Sequence, residues 1–177
     1  MKKHWVKRNL IYLFMAGPVI ACTTPVQESQ EKGPDPVEEK FLDLNRYLQD
    51  KHQDHIRAFI NRVGWTMEQT PTGLWFNVIE EGRGKSVEMN SRVTLTQSSL
   101  LLDGTLCYET PPGKTETIIA GKGNVMAGVT EGILKLKGGD SAVFIIPPHM
   151  GHGNFGDHNK IPGNSVIIYK VRVLRVN

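Results

Sequence analysis

From Trp65 onward the hydrophobic period changes from helical to alternating, and this change limits the fold more than any other feature of the chain. Five β-rich runs follow: "GLWFNVIEEGRG", "SRVTLTQSSLLLDGT", "TETIIAG", "DSAVFIIPP" and "SVIIYKVRVLRV". Most are separated by Gly, Pro, Asp or Asn, which turn the chain by tolerating positive φ, presetting φ or bonding their own backbone. Between the third and fourth runs lies "NVMAGVTEGILKLKGG", where Met126, Val129, Ile133 and Leu136 recur at helical spacing. One short helix among strands, without βαβ alternation, predicts an α+β fold: an antiparallel β-sheet wrapped around a short central α-helix.

Ahead of the sheet, Asp35 before Pro36, with Glu38 three residues after the aspartate, spells a helix start. The segment to about Val63 keeps Phe41, Leu44, Leu48, His55 or Ile56, Phe59 or Ile60 and Val63 near one face, and Gly64 stops it. This amphipathic helix has two uses open to it: packing on the domain behind it, or joining two copies into a homodimer. Lys51 and His52 interrupt the face in either case.

At the start of the chain, "MKKHWVKR" is a basic segment, "NLIYLFMAGPVI" an apolar stretch short for a membrane span, and "VIAC" ends on Cys22. The arrangement resembles a bacterial lipobox, in which the bond before the cysteine is cut once the thiol carries lipid. The domain plan is then a lipoprotein signal peptide at 1–21, a polar tether at 22–35, the amphipathic helix at 36–64 and the sheet domain at 65–177. Thr23, rather than an aspartate, follows Cys22, so inner-membrane retention is not signalled.

Charge and cysteines narrow the function. Lys2, Lys3, Lys7 and Arg8 leave with the signal peptide, and the remaining 17 basic residues face 18 acidic ones. Nucleic-acid binding normally needs a basic field, which this balance does not supply. Cys22 and Cys107 are the two cysteines, so lipid on the first leaves the second without an intramolecular partner. His149, His152 and His158 stand close together in sequence with Asp157, but H-x₂-H-x₅-H has neither a cysteine pair nor a helical i, i+4 pair to fix tetrahedral geometry. No metal or other cofactor is expected, and Asp157 reads as a turn organiser.

The order of these pieces, from about Gly73 to Val176, resembles the FKBP-type peptidyl-prolyl isomerases. "TGLWFNVIEEGRG" is similar to their first strand, "LLLDGT" to the strand and turn before the pocket, and "NVMAGVTEGILKLKGGD" to the central helix. "IIPP", "GHGNFGDHNKIPGNS" and "VIIYKVRVLRV" are similar to the next strand end, the long pocket loop and the closing strand. With the lipobox and leading helix, the whole most resembles the gliding-motility-associated FKBP-like lipoproteins of Bacteroidetes.

The resemblance implies a membrane-anchored isomerase of the bacterial cell envelope, on the outer membrane facing the periplasm, acting on proline-containing exported polypeptides. It implies equally a catalytically weak or inactive binding or assembly module, for a gliding or secretion apparatus. The X-Pro bond has a rotation barrier on the order of 20 kcal/mol because twisting breaks amide resonance. A dry apolar cleft that grips the prolyl ring disfavours the planar, charge-separated amide, so no nucleophile is required.

Position by position, the resemblance makes Val125 and Met126 the pocket-edge pair, the amide of the second receiving the substrate carbonyl. Ile161 is the apolar loop residue and Tyr169 the wall aromatic. The pocket-floor tryptophan falls at Val129, a strand tyrosine near Gln97, a Phe-Asp pair at Cys107 and Tyr108, and a loop tyrosine at His152. A compensated pocket is expected, with Tyr108 turned inward, Val129 leaving room beneath the ring and His152 on the rim. For the anchor, Cys22→Ser is expected to leave the domain folded and release it from membranes, since each buried CH₂ of an acyl chain contributes about 0.8 kcal/mol. Detergent phase partitioning of the two forms reads this directly; a mutant that stays in the detergent phase overturns the lipobox reading.

Overall fold

A computed structural model describes residues 35–123 and 125–177. The signal peptide, Cys22 and all of the tether except Asp35 lie outside the described residues.

Helix α1 spans Pro36–Val63, with Glu38 and Glu39 in its first turn and Arg62 in its last, each sign matched to the helix dipole. Gly64 adopts φ +71°, and the Trp65 N–H returns to the Ile60 carbonyl at 3.2 Å, which closes the helix end. Among the described residues no helix is long and apolar enough to cross a membrane.

Seven strands follow: β1 Glu68–Gln69, β2 Trp75–Glu80, β3 Arg92–Leu101, β4 Leu106–Glu109, β5 Glu116–Ile119, β6 Ser141–Ile146 and β7 Ile167–Val176. Helix α2, Ala127–Ile133, lies between β5 and β6. Every pairing is antiparallel; the order is β1-β2-β6-β7-β3-β4, with β5 paired to the other end of β3. The five strand runs read from sequence therefore fall short by β1 and β4. β1 is two residues long, too short to alternate, and β4, as short as β5, has none of the β-branched residues that mark β5. α2 is also shorter than its apolar spacing suggests: Leu136 is buried, but from the turn after the helix.

Alternation sorts the long strands into two faces. Val93 and Leu95 of β3, Phe144 and Ile146 of β6, and Ile167, Tyr169, Val171 and Val173 of β7 point inward, where they pack with Val129 and Ile133 of α2. Val143, Ile145 and Ile168 point to the other side, where Ile56 and Ile60 of α1 cover them. α2 approaches β6 closely: a Cβ on Gly128 would fall 2.6 Å from the Ile146 side chain, and one on Gly132 would fall 2.5 Å from the Phe144 ring.

The second half of α1 is also tied down by polar bonds. Gln53 Nε2 donates to the Gly73 carbonyl at 3.0 Å, while Trp75 Nε1 at 2.7 Å and Gln69 Nε2 at 2.9 Å donate to Gln53 Oε1. The first half stands clear of the sheet, leaving Val37, Phe41, Leu44 and Tyr47 exposed. Since Ile56 is completely buried, Ile56→Ala is expected to cost about 2–5 kcal/mol of stability, through lost transfer energy plus a cavity. Urea unfolding followed by Trp fluorescence measures the loss; an unchanged midpoint would mean that α1 is not part of the folded unit.

Candidate functional site

The residues expected to line a cleft come from four separate pieces of chain. Tyr108 lies on β4, where its register partner is Ser99 of β3. Val125 and Met126 immediately precede α2, Val129 lies within it, Ile161 lies in the long loop between β6 and β7, and Tyr169 sits on β7 opposite Phe144 of β6. Val129, Ile161 and Tyr169 belong to the inner core of the domain, and Tyr108, Val125 and Met126 pack against that core half-exposed. Met126 has φ −53° and ψ 142°, and its carbonyl accepts the Thr130 N–H at 2.9 Å. The Tyr169 ring stacks on Phe144, with centroids 6.3 Å apart and planes 6° from parallel.

The loop from β6 to β7 is held by one carboxylate. Asp157 Oδ1 accepts the N–H groups of Asn159 at 2.9 Å and Ile161 at 2.8 Å, while Oδ2 accepts the Tyr108 hydroxyl. Asn159 Nδ2 donates to the same phenol oxygen at 3.2 Å, and Lys160 Nζ lies 5.2 Å from the Tyr108 ring centroid. Asp157 therefore organises a turn and also fastens the loop to β4. Partial burial pushes the Asp157 carboxyl up, but hydrogen bonds from Tyr108 and the two backbone N–H groups, with His152 nearby, outweigh it and hold the group at about 2. The Tyr108 phenol is raised, first by its bond to the carboxylate and then by burial.

The three loop histidines go separate ways. His149 Nε2 sits 3.0 Å from the Thr72 carbonyl, His152 is half-buried near Asp157, and His158 is exposed at φ +59°. Among the described residues no group of three His, Cys, Asp or Glu side chains is placed to hold a metal ion. Cys107 is buried, its Sγ 3.7 Å from the carbonyls of both Thr105 and Lys160. Burial first, then Asp157 and Asp103, pushes its thiol up, which keeps it protonated and unreactive.

Two features escaped the reading of the sequence. One is the partnership of Tyr108 with Asp157; the signal was present, because a tyrosine at a position where related chains carry an acid asks for an acid elsewhere. The other is a polar group on the inner face, Gln97 with Thr110 and Glu116. Gln97 Nε2 and Thr110 Oγ1 donate to Glu116 Oε1, at 3.4 Å and 2.6 Å. No spacing rule joins these three residues, which only the pairing of β3 with β5 brings together.

The fold is an antiparallel sheet curled on a short helix, with Val125 and Met126 leading into that helix half-exposed against the inner core. Residues 83–174 match the family model described as FKBP-type peptidyl-prolyl cis-trans isomerase, and the chain belongs to that family. It is similar to peptidyl-prolyl cis-trans isomerase FKBP9 of Homo sapiens, 38% identical over 77 residues, which are 43% of this chain and 14% of that protein. It is also similar to FK506-binding protein 1 of Dictyostelium discoideum, 29% identical over 103 residues, 58% of this chain and 96% of that one. The crystal structure of FkpA from Escherichia coli superposes with a TM-score of 0.62 at 22% identity, covering 82% of this chain and 74% of that one, a likeness of fold.

The depressed Asp157 carboxyl has a consequence for stability against pH. Its folded value, about 2, lies below the ordinary 3.8, so its bonds stabilise the fold fully above the higher value and progressively less as pH falls toward the lower. Asp157→Asn is therefore expected to melt below the unaltered protein at about pH 6, with the gap closing between about pH 4 and pH 2. Melting curves at stepped pH test this; a gap independent of pH would show that the carboxylate charge is not what holds the loop.

Proposed function

We propose that this chain catalyses cis-trans isomerisation of X-Pro bonds. The observation that carries the proposal is the match of residues 83–174 to the isomerase family model, on a fold in which Val129, Ile161 and Tyr169 lie in the inner core and Tyr108, Val125 and Met126 pack against it half-exposed. A prolyl ring seated over Val129, between Tyr108 and Tyr169, leaves water on one side only. The amide of Met126 belongs to the first turn of α2, whose N–H groups lack intrahelical partners, and it holds the substrate carbonyl while the C–N bond twists. His152 forms the rim. No cofactor enters this chemistry.

The lipobox-like segment supports attachment through lipid on Cys22, on the outer membrane facing the periplasm, where proline-containing exported polypeptides are the substrates. The exposed Val37, Phe41, Leu44 and Tyr47 of α1 support a homodimer through that helix. A second reading is favoured by Gln97, Cys107, Val129 and His152, which stand where an isomerase of this family presents aromatic rings. In that reading the domain is a weakly active or inactive binding module of a gliding or secretion apparatus, in keeping with the resemblance to the Bacteroidetes lipoproteins.

Exchange spectroscopy on a proline peptide, with the full chain in detergent, separates the two. For an isomerase, Tyr169→Ala lowers kcat/KM about tenfold, equivalent to about 1.4 kcal/mol in barrier, and Val129→Trp leaves it equal or higher. For a binding module neither change alters a rate, and Tyr169→Ala weakens peptide affinity alone. Unchanged rate and unchanged affinity would remove this cleft as the working surface.

A further inference from the structure

The polar group on the inner face has unused capacity of one kind. Gln97 Nε2 is committed to Glu116, which leaves Gln97 Oε1 buried and without a hydrogen-bond partner. Such an acceptor is destabilising when nothing reaches it. The backbone N–H of Gln97 goes to Thr110 Oγ1 at 3.0 Å, and the Thr110 hydroxyl goes on to Glu116 Oε1 at 2.6 Å. Both side-chain donors thus reach the same carboxylate oxygen; among the described residues no hydrogen bond or ion pair reaches Glu116 Oε2.

The group lies beside the cleft. Glu116 pairs with Leu95, an inward residue, and Gln97 pairs with Val171, two residues along β7 from Tyr169. Burial first, and the Glu116 charge second, push the Tyr169 phenol up, which places the carboxylate within electrostatic reach of the wall aromatic. The cations of the neighbouring strand turn away: Lys170 and Arg172 of β7 alternate to the opposite face, where Arg172 pairs with Glu80 at 3.3 Å. The open positions are therefore a neutral acceptor and half of a carboxylate, with a net negative charge.

We propose that Gln97 and Glu116 form a specificity subsite that takes a cationic side chain, lysine or arginine, from the residue next to the proline of the bound polypeptide. The ammonium or guanidinium donates to Glu116 Oε2 and Gln97 Oε1, satisfying the buried acceptor and pairing the carboxylate. This deepens the cleft reading and rests on it. Glutamate in the same place meets like charge and an acceptor that it cannot serve.

The test is a ratio within one protein. Tetrapeptides Ala-X-Pro-Phe and Ala-Pro-X-Phe, with X as Lys, Leu or Glu, are compared by exchange spectroscopy and, in parallel, by fluorescence-detected binding to the full chain in detergent. Lys is expected over Glu by roughly fivefold, in the range of partly screened ion pairs. The preference should shrink in high salt and fall close to one in Glu116→Gln, an isostere that still accepts from Thr110. Gln97→Leu is expected to reduce the ratio partway. Equal values for Lys and Glu in the unaltered protein, or a preference that survives Glu116→Gln, would overturn the subsite. If no peptide is turned over, the isomerase reading fails, while the binding arm still decides the subsite.

Discussion

The cleft depends on how closely α2 lies against β6. Gly128 and Gly132 present bare backbone to Ile146 and Phe144, with no room for a methyl group at either position. That approach lets a seven-residue helix, too short to be stable alone, be held by packing instead of by propensity. It also decides where the start of the helix lies, and with it Val125, Met126 and Val129. Phe144, against which Gly132 rests, stacks in turn on Tyr169. The helix contact and the cleft wall are therefore one continuous packing arrangement, and a side chain added at Gly132 would disturb both.

The sheet is burdened on its two faces by different partners. Inside, β3, β6 and β7 fold around α2; outside, Val143, Ile145 and Ile168 are covered by Ile56 and Ile60 of α1. Adjacent residues of β7 thus serve opposite cores, Ile167 the inner one and Ile168 the outer one. The middle of α1 also borders the loop from β6 to β7: Asn45, Leu48, Gln49 and His52 share a small cavity of about 70 Å³ with Pro148, His149, Asn154 and Asn164. The leading helix is thus in contact with the segment that carries His152 and Asp157. Its exposed first half remains available for other work.

Within the cleft, the chemistry differs from an all-aromatic pocket in a consistent direction. Tyr108 is held by its bond to Asp157, and the inner face near Tyr169 holds Gln97, Thr110 and Glu116. Aromatic walls contact the prolyl ring itself and make no polar demand on the residues beside it; hydrogen-bond acceptors at fixed places do. In the proposed subsite, some grip on the ring is exchanged for a means of choosing what lies beside it.

Much of the architecture was legible because it is written in local patterns. Alternation located β2, β3, β5, β6 and β7, helical spacing located α2, and Asp35, Pro36 and Gly64 bounded α1. The seven residues proposed to line a cleft, Tyr108, Val125, Met126, Val129, His152, Ile161 and Tyr169, were named through the family resemblance, carried along the order of glycines, prolines and apolar runs. β1, at two residues, was too short to show a period, and β4, no shorter than β5, lacks the β-branched residues that marked β5. The Tyr108 to Asp157 bond, the Gln97, Thr110 and Glu116 group, and the division of α1 into a docked and an exposed half were not legible either. Each joins residues far apart in sequence, and their meeting depends on strand register and on how closely the helices approach the sheet. Those quantities are set by the packing of the whole domain, so they belong to the tertiary structure alone.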